Sequence, residues 1–144
     1  MTRATWRYRR GPMSRASKVL AIVRTDRTFE AREVRGERCW VGRCIHCASA
    51  IVVDARGETA GTIEHIEPST HGGTDDVANL ALACARCNQR KGASLDNRRR
   101  DDPTLSAVID TLKARRRERW RDDPHVSEAP PTETRGRRGR RRAR

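Results

Sequence analysis

The sequence predicts a small α+β domain that is stapled by a four-cysteine zinc site and flanked by helices and disordered basic termini. Two Cys-x-x-Cys pairs predict the zinc site, and short strand and helix patterns around them predict the fold class. The chain has 144 residues, of which 35% are hydrophobic and only 3% aromatic. A small domain so poor in large apolar side chains usually needs disulfides or a metal to fold.

The cysteine pairs are Cys44 with Cys47 and Cys84 with Cys87. Each pair lets two sulfurs converge on one ion, and zinc favours four such sulfurs at about 2.3 Å. Four protein ligands leave no position for a substrate, so the predicted zinc is structural. Two disulfides and an iron–sulfur cluster are the alternatives that the spacing alone leaves open. Cys39 is predicted to lie outside the site.

The charge balance predicts a nucleic-acid partner. The chain carries 32 Lys and Arg against 19 Asp and Glu, a net charge of +13, and most of its cations are Arg. Arginine pairs with phosphate in two-pronged geometry, so a nucleic acid is the expected partner, although a solubilising charge excess is the alternative. No apolar run approaches the roughly 20 residues of a membrane span, and the basic start lacks a signal-peptide core. We therefore expect a cytoplasmic protein without a membrane partner.

Composition divides the chain into four parts. Residues 1–37 form a basic N-terminal arm with a possible short helix, and residues 38–95 form the central domain that holds both cysteine pairs. Residues 96–123 are expected to be a C-terminal helix. Residues 124–144 form an Arg-rich tail that cannot bury a core and is predicted to be disordered.

Local patterns predict five elements inside these parts. Ser14 is placed to cap a helix that runs to residue 23. Strands are predicted at 51–53 and 62–66, and the turn residues between them favour a β-hairpin. One helix is predicted from residue 85 past 91. Asp102 and Pro103 begin another that carries an apolar stripe: Leu105, Val108, Ile109 and Leu112.

A cluster of polar residues lies between and after the cysteine pairs. The segment 64–92 reads EHIEPSTHGGTDDVANLALACARCNQRKG. It resembles the zinc-knuckle branch of the HNH endonuclease family, whose pattern is an acidic residue, His, Pro, Gly-Gly, Asn-Leu and Cys-x-x-Cys-Asn-x-x-Lys-Gly. The resemblance implies a ββα-metal, treble-clef-like fold, in which a hairpin carries the histidine, a helix follows, and a catalytic divalent ion lies between them.

The resemblance also implies roles for individual residues. His65 would be the general base that takes a proton from the attacking water, a task that imidazole can perform at neutral pH. Glu64 and Asn88 would be the protein ligands of a catalytic Mg²⁺ or Mn²⁺, since these ions prefer oxygen ligands. Glu64 stands where the family most often has Asp.

Three further residues complete the implied site. Asn79 would orient the loop that holds the histidine through hydrogen bonds to the backbone. Lys91 and Arg90 are expected to contact DNA phosphates, although simple solvation is the alternative for Arg90.

The sequence therefore predicts a metal-dependent endonuclease that hydrolyses phosphodiester bonds in DNA, most naturally double-stranded DNA. The alternative is a zinc-stapled module that binds DNA or RNA without cutting it, which composition and cysteines fit equally well. Glu64, His65 and Asn88 distinguish the two, because a pure binding module has no need of them.

Overall fold

The computed structural model describes residues 13–124, so residues 1–12 of the predicted basic arm and residues 125–144 of the tail predicted at 124–144 lie outside the described residues. Helix α1 spans Arg15–Arg24. Ser14 caps it, because the Ser14 hydroxyl oxygen accepts a hydrogen bond from the Ser17 backbone N–H at 3.1 Å. The predicted N-terminal helix is thus confirmed, and Val19, Ile22 and Val23 on it are buried.

A three-stranded antiparallel sheet follows, with β1 at Glu30–Val34, β2 at Glu37–Arg43 and β3 at Ala50–Asp54 in the order β1-β2-β3. Arg35 and Gly36 both have positive φ angles, 52° and 79°, in the tight turn between β1 and β2. Two consecutive left-handed residues match the twist of a two-residue hairpin. The sequence predicted no element over 26–37, because every residue of β1 is exposed and the strand shows no apolar alternation.

The second sheet pairs β4, Thr62–His65, with β5, Leu80–Ala83, in antiparallel register. Two short 3-10 turns, Ser69–His71 and Val77–Asn79, lie in the connection. Helix α2, Ala85–Ser94, follows β5 immediately. A hairpin with the histidine on its first strand and a helix directly after it is the ββα arrangement that the resemblance implied.

The predicted pairing of residues 51–53 with 62–66 is wrong. Strand β3 pairs with β2, and β4 pairs with β5. The chain does turn after β3, but Thr59 ends the pairing there: its hydroxyl donates to the Val52 carbonyl at 2.7 Å and accepts from the Gly61 N–H at 3.0 Å. Beyond this bend β4 pairs with β5, and all four residues of β5 are buried.

Helix α3 spans Pro103–Arg119, with Pro in its first turn as predicted. Asp102 caps it by accepting hydrogen bonds from the backbone N–H groups of Thr104 and Leu105 at 2.9 and 3.1 Å. Its apolar stripe packs into the core: Leu105, Ile109 and Leu112 are buried, and Val108 packs against them. Within residues 13–124, no helix combines the length and apolar character needed to cross a membrane.

Arg116 of α3 ties three elements together from inside the core. Its side chain is fully buried, and its guanidinium donates to the Leu80 carbonyl at 2.8 Å and to the Thr25 carbonyl at 2.9 Å. The guanidinium also lies 4.8 Å from the centre of the Trp120 ring. Because Leu80 pairs with His65 across β4 and β5, α3 supports the hairpin that carries the histidine.

Candidate active site and metal centre

The four cysteines of the two Cys-x-x-Cys pairs converge at one point. Their sulfurs all lie within 4.8 Å of one another, and the Cys47 and Cys84 sulfurs are 3.9 Å apart. Four sulfurs at about 2.3 Å from a central ion stand roughly this far apart, so the cluster can hold a zinc ion. The first pair lies in the turn between β2 and β3, and the second lies where β5 ends and α2 begins. Cys39, which is buried in β2, is outside the cluster.

Backbone and hydroxyl groups surround these sulfurs. Cys44 Sγ accepts hydrogen bonds from the backbone N–H groups of His46 and Cys84 at 3.4 and 3.3 Å. The Ser49 side chain, 3.1 Å from Cys47 Sγ, lowers the pKa of that thiol to about 6. Burial and then the neighbouring sulfurs raise the pKa of Cys87 to about 12. The thiolate is the form that binds metal, so the surroundings favour it at Cys47 and a cation is needed to favour it at Cys87.

Glu64 lies at the centre of a buried ionic cluster. Its side chain, on β4, is only 1% exposed. Its Oε1 is 2.8 Å from Lys91 Nζ, and its Oε2 is 3.2 Å from His46 Nε2. A carboxylate buried to this degree requires such partners, because an unpaired charge is strongly unfavourable in the interior. His46, which the sequence analysis did not assign to any site, thus links the first cysteine pair to Glu64.

Lys91 is the cation of this cluster, and its side chain is only 2% exposed. Besides Glu64, its amine contacts Asp96 Oδ1 at 2.8 Å and donates to the His65 backbone carbonyl at 3.2 Å. An ammonium group has three donor hydrogens, and these three acceptors use all of them. In this position Lys91 holds β4 to α2 and does not point to solvent, so its expected phosphate contact does not fit its surroundings.

His65 follows Glu64 at the end of β4, where its side chain is 32% exposed. Its Nε2 lies 2.8 Å from Asp75 Oδ1, and Asp75 Oδ2 lies 2.9 Å from Lys18 Nζ of α1. The hydrogen bond from His65, and then the one from Lys18, lowers the pKa of Asp75. The imidazole is therefore open to solvent and is anchored to a carboxylate.

Asn79 fixes the loop that follows His65. Its side-chain oxygen accepts from the Glu67 N–H at 2.8 Å, and its amide donates to the carbonyls of Glu67 and Thr74 at 3.2 and 2.8 Å. Gly73 lies close against the same loop, where an added Cβ would collide with the Glu67 carbonyl oxygen. Loop-orienting hydrogen bonds of this kind are the ones that the resemblance implied for Asn79.

Asn88 and Arg90 both lie on α2: Asn88 is in the first turn of the helix, and Arg90 is on its exposed side. Asn88 is half-buried, and among residues 13–124 its side-chain amide makes no hydrogen bond. Arg90 is exposed and takes part in none of the ion pairs between described residues. Arg90 is therefore free to meet a phosphate, while Asn88 retains its full hydrogen-bonding capacity.

Besides His46, three residues around the predicted site were not identified from the sequence: Asp75, which contacts His65, Lys18, which contacts Asp75, and Asp96, which contacts Lys91. Asp75 and Asp96 stand in polar segments, where acidic residues ordinarily mark nothing more than solvent exposure. The position of Asp75 two residues after the double glycine was the only available signal. Lys18 is separated from Asp75 by 57 residues, a pairing that no local pattern indicates.

Comparisons with known proteins agree with this geometry. Residues 44–94, about a third of the chain, match the family model described as HNH endonuclease. No curated protein and no solved structure matches the chain. The matched segment begins at the first cysteine of the cluster and ends with α2, so it contains both cysteine pairs, the His65 hairpin and the helix after it. The chain is therefore similar to the HNH endonuclease family over residues 44–94, the segment that holds the cysteine cluster and the His65 hairpin.

Proposed function

We propose that this domain is an endonuclease that hydrolyses phosphodiester bonds in DNA, with His65 as the general base. The observation that most supports it is that backbone contacts hold His65 in place while its imidazole remains accessible to solvent. Lys91 binds the His65 carbonyl, the Asn79 carbonyl accepts from the next backbone N–H at 2.9 Å, and the ring itself stays 32% exposed. A base held rigidly and reachable by water suits proton abstraction.

The chemistry assigned to His65 is proton transfer. The imidazole takes one proton from a water molecule as the water oxygen forms its bond to phosphorus. The bond between phosphorus and the departing 3′ oxygen breaks, which leaves a 5′-phosphate and, once that oxygen has gained a proton, a 3′-hydroxyl. Exposed cations such as Arg90 would hold the DNA backbone during this step.

A structural zinc at Cys44, Cys47, Cys84 and Cys87 is the second part of the proposal. The four sulfurs are close enough for one tetrahedral ion, and two backbone N–H groups already point at Cys44 Sγ. Zinc there would join the turn before β3 to the start of α2. It would thereby fix the start of the family-matched segment to the start of its helix without touching the substrate.

A catalytic Mg²⁺ or Mn²⁺ at Glu64 and Asn88 fits the described side chains poorly. Both carboxylate oxygens of Glu64 already have partners, one of which is an ammonium group, and the side chain is 1% exposed. A divalent cation would have to share that carboxylate with Lys91. The divalent-ion requirement is thus a prediction to test, and no step of the chemistry above depends on it.

The same observation favours a second candidate function, a module that binds DNA or RNA without cutting it. A Glu64 committed to Lys91 and His46 would serve the fold rather than a cation. The basic charge and the cysteine cluster suit this module as well as they suit a nuclease.

A plasmid-cleavage assay separates the two candidates. The zinc-loaded full chain is incubated with supercoiled DNA in EDTA, Mg²⁺ or Mn²⁺, and the variant His65→Ala is compared with His71→Ala. His71 is a matched control, since its imidazole lies near the same loop but contacts the Asp96 backbone carbonyl at 3.1 Å.

We expect the wild type and His71→Ala to cleave with a divalent ion, and His65→Ala to lose cleavage by about 100-fold or more while it stays folded. Equal cleavage by His65→Ala would reject the assigned base. DNA binding without cleavage in every ion would favour the non-catalytic module. Full cleavage in EDTA would reject the divalent-ion requirement.

A further inference from the structure

We propose that Asp75 is a positioning residue for His65, that it fixes the imidazole as the tautomer with its proton on Nε2, and that Lys18 of α1 holds Asp75 in place. The inference rests on the proposed function, in which His65 is the general base. It adds two residues to the site, one of which comes from a helix outside the family-matched segment.

The direction of the hydrogen bond between His65 and Asp75 determines which nitrogen of the ring carries the proton. An ionised carboxylate only accepts hydrogen bonds. Asp75 Oδ1 lies 2.8 Å from His65 Nε2, so in the neutral imidazole the proton sits on Nε2. The unprotonated nitrogen is then Nδ1, which becomes the atom that can take a proton from water. Fixing one tautomer in this way is how carboxylates orient histidines in other catalytic and metal sites.

The second carboxylate oxygen of Asp75 is fixed from another direction. Lys18 Nζ lies 2.9 Å from Asp75 Oδ2, and the Lys18 side chain is 23% exposed. Lys18 stands on the same helix as Val19 and Ile22, both of which are buried in the core. The contact therefore ties Asp75, which lies in an exposed loop, to a rigid element.

The proton balance is simple. Water gives one proton to His65 Nδ1 as its oxygen bonds to phosphorus. The ring then carries hydrogens on both nitrogens and a positive charge, and the Nε2 hydrogen stays in its bond to Asp75. A carboxylate at 2.8 Å stabilises that cation, so it favours the protonated product of the step as well as the correct starting tautomer.

The neighbouring Asp76 provides a matched control. It is exposed like Asp75 and carries the same charge, but its carboxylate neither caps the turn that follows nor contacts His65 among residues 13–124. Asp75→Ala and Asp75→Asn are therefore compared with Asp76→Ala and Asp76→Asn in the zinc-loaded full chain. Each pair of variants removes the same charge from adjacent positions.

Kinetics with a duplex substrate form the first measurement. We expect each Asp75 variant to lower kcat by about 10- to 100-fold with KM changed less than about threefold, since the carboxylate acts through His65 and not on DNA. The Asp76 variants should keep kcat within about twofold. Lys18→Met should lower kcat by a smaller factor of about three, because it loosens Asp75 without removing it.

Nitrogen-15 NMR of the imidazole rings is the second measurement, and a merely structural role for Asp75 would not alter it. The chain holds four histidines, so the His65 signals are assigned by their loss in His65→Ala. In the wild type, Nε2 should carry the proton and Nδ1 should not. Asp75→Ala should give a mixture of tautomers, and Asp75→Asn, whose amide can donate to the ring, should shift the mixture toward the Nδ1 form.

The two measurements keep the two proposals apart. A wild type that binds DNA but does not cut it would reject the proposed function, while the tautomer spectra would still decide the contact with Asp75. Active enzyme with unchanged kcat in both Asp75 variants, or an unchanged His65 tautomer in Asp75→Ala, would overturn the inference. Unchanged kcat in Lys18→Met would reject the part of the inference in which Lys18 of α1 holds Asp75 in place. A higher kcat in Asp75→Ala would also overturn it, because the contact would then restrain the base.

Discussion

At the scale of single residues, the sequence pointed to candidate site residues but not to the partners that the structure gives them. The segment 64–92 contained Glu64, His65 and Lys91 at recognisable spacing. The spacing does not say that Glu64 and Lys91 bury each other, because burial depends on how β4 packs on α2. A lysine near a basic helix end suggests a phosphate contact, whereas the structure gives its amine three internal acceptors.

Replacing Lys91 with Met should therefore destabilise the domain. The change leaves Glu64 buried without its cation, which typically costs about 3–5 kcal/mol. Arg90→Met, on the exposed side of the same helix, should change the free energy of unfolding by less than about 0.5 kcal/mol. Urea unfolding of both variants checks this. A Lys91→Met protein that is as stable as wild type but binds DNA more weakly would instead support the phosphate contact that the sequence predicted for Lys91.

The cysteines give a second prediction at this scale. Cys84→Ser removes one of four sulfurs, so the variant should lose zinc and most of its cooperative unfolding. Cys39→Ser is the control, since Cys39 is buried but outside the cluster. It should bind one zinc per chain and unfold cooperatively. Metal analysis and circular dichroism give the readout, and a well-folded Cys84→Ser protein without zinc would contradict the structural role.

At the scale of elements, prediction succeeded where one face or a cap sets the structure. Ser14 and Asp102 cap α1 and α3 as expected, and the α3 stripe is buried. Prediction failed where the pairing of a strand depends on residues that are distant in the sequence. Strand β1 is exposed at every residue, and β4 leaves its sequence neighbour β3 for β5, beyond a long loop. Strand pairing of this kind follows from which faces are buried, which a local pattern does not reveal.

Glu67, just after β4, joins that strand to the C-terminal elements and makes stability depend on pH. It accepts hydrogen bonds from Arg100 at 2.7 and 2.9 Å and from Lys113 at 3.1 Å. Burial acts to raise the pKa of Glu67, but these two cations lower it below its ordinary value of 4.5. A lowered pKa means that the stabilisation is present above pH 4.5 and is lost as the pH falls through the pKa of the folded state.

Glu67→Gln should thus unfold at lower urea concentration than wild type at pH 7. The difference between the two proteins should shrink as the pH falls below 4.5 and should disappear below the lowered pKa of the folded state, where the wild-type carboxyl is protonated too. Unfolding curves between pH 3 and pH 7 measure it. A difference that stays constant with pH would show that Glu67 acts through packing instead of charge.

At the scale of the whole molecule, arginines of α3 join elements through hydrogen bonds in a domain that has few large apolar side chains. Burial lowers the pKa of Arg116 to about 10, which shows how strongly the interior opposes its charge. Hydrogen bonds to β5 and to the end of α1 offset that penalty. Arg119 donates to the carbonyl of Arg43 at 2.9 Å, next to the first cysteine pair. Some of the arginines behind the basic charge that predicted a nucleic-acid partner are thus internal.

Arg116→Ala should be among the most destabilising single changes. It opens a large cavity and leaves buried carbonyl groups without donors, for which we expect a loss of about 3–5 kcal/mol. Arg117→Ala, at a half-buried position on the same turn, should cost less than about 1 kcal/mol. Thermal and urea unfolding compare the two, and equal stabilities would reject the tie between α3, β5 and α1.

The remaining basic charge should govern affinity for DNA. Seven of the last ten residues are Arg, so a chain without residues 124–144 should bind DNA more weakly and with a smaller dependence on salt. Each lost phosphate contact lowers the slope of log affinity against log salt by about 0.9. Binding series from low to high salt measure the affinity of the full-length and the shortened chain. Identical slopes and affinities would show that the tail does not contact DNA.

Hydrolysis with His65 as the base should place an oxygen atom from water on the 5′-phosphate end, and isotope labelling can detect it. A duplex is cleaved by the wild-type chain in water enriched in oxygen-18, with His65→Ala in parallel, and the product ends are read by mass spectrometry. We expect one oxygen-18 atom in each new 5′-phosphate from the wild type and no product from the variant. Unlabelled ends, 3′-phosphates, or the same labelled product from His65→Ala would contradict it.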